Sequence, residues 1–160
     1  MQISYKQALI LSALASFGLL AGAFFFEIIV GLPPCNLCIW QRWPHAIIIA
    51  ISGVGLVAFK RNWILLLIAL SAISTGLIGL YHSGVERGWW SGPSGCSNQF
   101  NPDLDISMLT TSLLEMPVIK CDEIAWSLMG ISMAGWNSIG GFSIAIFAFL
   151  CWKKLAQTQG

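Results

Sequence analysis

Cys35 and Cys38 are separated by two residues in the stretch GLPPCNLCIWQRWPH, residues 31–45, where one apolar run ends and another begins. Pro33 and Pro34 break any helix arriving from the N-terminal side, so both thiols are predicted on the first turn of the helix that follows. A helix start favours thiolate over thiol, and the thiolate is the form that attacks disulfides, binds metals and donates electrons. Arg42 lies four residues after Cys38, about 40° away around a helix, which predicts its guanidinium beneath that sulfur as a fixed positive charge that lowers the thiol pKa further. The same residues also fit plainer readings. A CxxC can be half of a zinc site or an inert short-loop disulfide, and an arginine in apolar surroundings can snorkel to lipid headgroups.

A second pair, Cys96 and Cys121, stands 25 positions apart in the longest polar stretch of the chain, the first of them preceded by the turn-forming SGPSG. The fifth cysteine, Cys151, is the odd one out and is expected to be a reduced packing residue.

The elements that must position these sulfurs are apolar. The 160 residues are 56% hydrophobic and only 9% charged, with a mean hydropathy of +0.76, which implies an integral membrane protein. The net charge of +1 points to neither nucleic acid nor a polybasic lipid anchor. The expected fold is an all-α, four-helix transmembrane bundle forming one domain over residues 1–160, with spans at 8–30, 38–59, 63–81 and 131–152. Loops 31–37 and 82–130 connect them on one side. The pattern Ala21-Gly22-Ala23 raises a signal peptide, but the apolar run continues through Phe24–Phe26, which argues against cleavage.

Lys6, Lys60 with Arg61, and Lys153 with Lys154 fall on one side of this four-span arrangement, so the positive-inside rule puts both termini in the cytoplasm. The CxxC and the long loop then face outward, into a compartment where disulfides persist. Trp40, Trp43, Trp89, Trp90, Trp126 and Trp136 crowd the outer boundary as an aromatic belt. Pro44 is placed near the start of the second span, where a proline costs least. Within the loop, Ile106, Met108, Leu109, Leu113 and Leu114 recur with a rough helical period and predict a short helix lying on the membrane. Gly79, Gly135, Gly140 and Gly141 allow close helix approach. Glu27, near the end of the first span, is either functional or solvated; His45 shares a face with Arg42 and is read as a hydrogen-bonded residue.

Two cysteine pairs on one outer face suggest a relay of thiol-disulfide exchange, with electrons leaving through the CxxC into an oxidant dissolved in the bilayer, for which a quinone is the obvious chemical candidate. The chain also resembles the bacterial disulfide bond formation protein B (DsbB) family along nearly its whole length. The resemblance rests on PCNLCIWQR, GPSGCS, KCDEIAW and MGISMAGWN. It implies that Cys96 forms a mixed disulfide with a DsbA-like periplasmic thioredoxin-fold oxidase and that Cys121 is its partner in the oxidised loop. Cys35 would exchange with that pair, and Cys38 would lie against the ring of a ubiquinone or menaquinone and form a charge-transfer or covalent adduct. Arg42, with His82 and Glu27, would belong to the quinone site, with no metal. The resemblance further implies a bacterial inner-membrane location with the redox cysteines in the periplasm. The alternatives are a membrane protein whose four outer cysteines hold zinc or staple the loop, and a quinone reductase of the vitamin K epoxide reductase type; in the latter the CxxC usually sits late in the bundle, whereas here it opens the second span.

Overall fold

The computed structural model describes residues 3–58, 61–93, 96 and 120–157. The expected surface helix around Ile106–Leu114 lies outside them. Four long helices stand among the described residues: α1 (Tyr5–Ile28), α2 (Asn36–Val57), α3 (Ile64–Glu86) and α4 (Met133–Gln157). A two-stranded hairpin, β1 (Ser127–Leu128) and β2 (Ile131–Ser132), leads directly into α4. Helices α1, α3 and α4 are long and apolar enough to cross a membrane. Helix α2 is comparable in length at 22 residues but carries Gln41, Arg42, Pro44 and His45 in its first half.

Local chemistry sets the helix ends. Ser4 and Gln7 form a reciprocal capping box at the start of α1, the Gln7 N–H donating to Ser4 Oγ and the Ser4 N–H to Gln7 Oε1. Helix α1 stops at Gly31, whose φ of +78° suits glycine, and the two prolines carry the chain to Cys35. Helix α3 closes in a Schellman turn, Gly88 N–H to Val85 O (3.0 Å) and Trp89 N–H to Gly84 O (2.9 Å), with Gly88 left-handed. This end lies five residues beyond the expected boundary at Tyr81. His82 and Glu86 are therefore helical, not part of the loop. The polar residues His82 and Ser83 suggested a loop, but both are buried against protein, where polarity does not end a helix.

Pro44 is also deeper in its helix than expected, because α2 starts at Asn36. It has no N–H to give to the Trp40 carbonyl, and the neighbouring Gln41 carbonyl accepts instead from Thr75 Oγ1 on α3 at 3.0 Å.

Helices α3 and α4 approach until their backbones touch. A Cβ at Gly79 would come within 2.9 Å of Ala134 O, and one at Gly141 within 2.9 Å of Gly76 N. Ser138 Oγ donates across the same contact to Gly76 O at 2.9 Å. Below this contact, Leu9, Ile48, Ile64, Leu65, Ile68, Ile144 and Ala148 form the main buried core, and Cys151 packs into it as a free thiol.

Candidate redox site

The site is built where α1 ends, α2 begins and α3 ends. Cys35 is the N-cap of α2: its backbone is extended and its sulfur accepts the Cys38 N–H at 3.3 Å. This differs slightly from the expected first-turn position, and it makes Cys35 Sγ itself the acceptor of the helix's unpaired N–H groups. Cys38 Sγ lies 3.0 Å away on the next turn, and both thiols are free. The hydrogen bond from Cys38, aided by one from His82 and opposed by burial, pushes the Cys35 thiol from its ordinary 9.0 down to about 4.

The donors that stabilise this anion differ from those expected. Arg42 does not turn to the sulfurs. It pairs with Glu27, donates to Ala23 O at 3.4 Å and stands 4.8 Å over the Phe24 ring. The sulfur favoured as an anion is Cys35, and its neighbours are Cys38 and His82 Nε2 at 3.5 Å. A carboxylate one helix away competes for the guanidinium more strongly than a thiol does, and Glu27 stands on the face of α1 opposite Arg42.

The two sulfurs face different neighbours. Cys35 is buried in one cluster with Leu37, Val85, Cys96 and Cys121, with Cys38 packed against its edge. Cys96 and Cys121 are bonded to each other, and Cys121 N–H donates to Cys96 O at 2.7 Å. Cys38 opens in the other direction, onto a cavity of about 340 Å³.

Gly18, Gly22 and Ala23 of α1 make one wall of this cavity, Pro33 and Pro34 its rim, and Trp126, Trp136 and Asn137 the far side. Trp126 is held there by Phe26, ring centroids 4.9 Å apart. The hairpin places it: Met129 and Gly130, both at positive φ, turn β1 into β2, and Met133 N–H returns to Trp126 O at 3.2 Å.

Of the residues expected at a quinone, Cys38 and Arg42 line the cavity. Glu27 and His82 stand behind them, Glu27 against Arg42 and His82 against Cys35. Arg42 Nε is buried with no hydrogen-bond partner among the described residues, and the cavity lining is mostly apolar, with Gln41, Arg42, His45 and Asn137 its polar side chains.

Sequence reasoning missed Gln41, Thr75, Asn137 and Glu86. Gln41 Nε2 is 2.9 Å from His82 Nδ1, and Asn137 Nδ2 donates to Gln41 Oε1 (2.8 Å) and Thr75 Oγ1 (3.0 Å). His45, set aside as merely hydrogen-bonded, does bond to Asn137 Oδ1 at 3.0 Å and also lines the cavity. The available signal was an amide or hydroxyl inside each apolar run, where an unpaired polar group is costly and so finds a partner.

The chain matches the family described as "Disulfide bond formation protein DsbB" over residues 5–151. It is 30% identical over 131 residues to "Uncharacterized protein RP370" of Rickettsia prowazekii, covering 80% of this chain and 76% of that protein. Two proteins named "Disulfide bond formation protein B" align almost end to end. That of a Polaromonas species is 25% identical, covering 96% of this chain and 94% of its own, and that of Xylella fastidiosa is 28% identical, covering 99% and 96%. With a family match spanning nearly all of the chain, apolar helices long enough to cross a membrane and two cysteine pairs packed together, this protein belongs to the DsbB family of membrane oxidoreductases of disulfide bond formation.

Proposed function

We propose that this protein is an inner-membrane thiol:quinone oxidoreductase that reoxidises a DsbA-like periplasmic thioredoxin-fold protein. The observation that carries the proposal is the placement of the Cys35–Cys38 pair between the Cys96–Cys121 disulfide on one side and the cavity on the other. In this reading a reduced partner attacks the loop disulfide through Cys96 and leaves oxidised. The loop is then a dithiol, and it reduces a Cys35–Cys38 disulfide by thiolate attack on sulfur, re-forming Cys96–Cys121. The Cys35–Cys38 dithiol closes again to a disulfide, releasing two electrons and two protons. A ubiquinone or menaquinone supplies the acceptor chemistry, taking up both electrons and both protons.

The chain's own residues have separable tasks. Cys38 presents the sulfur that faces the cavity, Arg42 brings a positive charge to its wall for the guest's oxygen, and Glu27 holds the guanidinium there. Trp126, Trp136 and the prolines keep water out.

The test is turnover by the purified protein in detergent with a soluble quinone and a reduced thioredoxin-fold partner, followed by quinone absorbance. Quinone reduction is expected with the intact chain, and its loss with serine at any of positions 35, 38, 96 or 121. Cys151→Ser is expected to retain full rate, because that thiol lies in the core away from the site. Absence of turnover with all cysteines intact overturns the proposal.

A further inference from the structure

We propose that Gln41 is a positioning residue that fixes the tautomer of His82, so that the ring presents Nε2–H to the Cys35 sulfur. The assignment follows from two backbone carbonyls, which only accept hydrogen bonds. The Leu37 carbonyl lies 3.1 Å from Gln41 Nε2, so the NH₂ end of the amide faces that way. The same nitrogen is 2.9 Å from His82 Nδ1, which therefore accepts. A neutral imidazole that accepts at Nδ1 carries its hydrogen on Nε2.

The other end of the amide is held as firmly. Thr75 spends its hydroxyl hydrogen on the Gln41 carbonyl (3.0 Å), leaving its oxygen to accept from Asn137 Nδ2 (3.0 Å). Asn137 Nδ2 also donates to Gln41 Oε1 (2.8 Å), so neither amide can reverse without facing donor to donor or acceptor to acceptor. His45 Nε2, 3.0 Å from Asn137 Oδ1, donates at the far end.

The result is a hydrogen on His82 Nε2, a nitrogen 3.5 Å from Cys35 Sγ and 3.9 Å from Glu86 Oε1. The ring thus gives the thiolate a hydrogen bond through Nε2. That proton also occupies the lone pair a metal would need, although Cys35, Cys38 and His82 hold their ligand atoms within 4.8 Å of one another. The purpose of the arrangement rests on the exchange reaction proposed above, where it would steady Cys35 whenever that sulfur is anionic.

The experiment uses the full-length protein in detergent with Cys35 and Cys38 as thiols and the Cys96–Cys121 disulfide intact, labelled with ¹⁵N-histidine, with His82 signals assigned by their loss in His82→Gln. The wild-type spectrum is expected to show a protonated Nε2 and an unprotonated Nδ1 at neutral pH. In Gln41→Met, which keeps the volume and loses the donor, Nδ1-protonated ring is expected to appear. In the same variant the midpoint of Cys35 alkylation against pH is expected to rise by about one unit. The titrating groups facing Cys35 are Cys38 from α2 and His82 and Glu86 from α3, whereas the bonded Cys96 and Cys121 contribute none.

A wild-type Nδ1–H or doubly protonated ring overturns the proposal, as does a Gln41→Met protein with unchanged spectrum and midpoint. If that variant does not fold, the wild-type spectrum decides. Both readouts need no quinone, so a missing turnover alongside the expected tautomer would count against the function and not against the role of Gln41.

Discussion

Cysteine at an N-cap position does for a thiolate what serine does for a helix, since the orphan N–H groups need an acceptor and the anion needs donors. Cys35 meets both needs at once, and the strongest donor is the thiol of Cys38. Cys38→Ala is therefore expected to move the Cys35 thiol back up toward its ordinary range, read as thiolate absorbance against pH. The sign of the pH dependence follows. Because the folded-state value is depressed from 9.0 to about 4, the reduced protein carries this stabilisation in full above pH 9. It loses it progressively as pH falls through about 4, and thermal unfolding of the reduced protein across that range checks it. Arg42 belongs to the same scale. Arg42→Met removes a charged donor from the cavity wall, and the KM for quinone is expected to rise about tenfold, the equivalent of one charge-assisted hydrogen bond.

Among the elements, the α3–α4 contact fixes how far His82 and Asn137 stand apart across the bundle. Gly79 faces the Ala134 carbonyl, which cannot move aside as a flexible side chain can. Gly79→Leu is expected to destabilise the fold by about 1–3 kcal/mol through overpacking, and to lower turnover because it pushes Asn137 away from Gln41; denaturation and quinone assays read the two effects. Gly22→Ala, on the cavity side of α1 with nothing near its added Cβ, is expected to leave stability nearly unchanged. The apolar runs and the proline break made the long helices legible in the sequence, and the glycines flagged the close contact. The end of α3 was not legible, because His82 and Glu86 read as loop until their burial inside the site is known. The direction of Arg42 was not legible either, because spacing places a side chain on a face but does not say which neighbour wins it.

For the whole molecule, the sulfurs gather at one end of the bundle and the basic residues Lys6, Arg61, Lys153 and Lys154 at the other in sequence order. A C-terminal tag is therefore expected to resist protease added to spheroplasts, and a membrane-impermeant maleimide is expected to reach Cys96 and Cys121 after reduction but not Cys151. The two cysteine pairs, their spacing and the CxxC were plain from residue type alone. The sandwich of one pair between the other and the cavity needed the fold, since Cys96 and Cys121 reach Cys35 from across the chain.

Cys35 is only 5% exposed, and Cys96 and Cys121 are fully enclosed beside it. The outer bridge therefore serves as a stopper for the inner sulfur, much as one door of an airlock seals the chamber behind it.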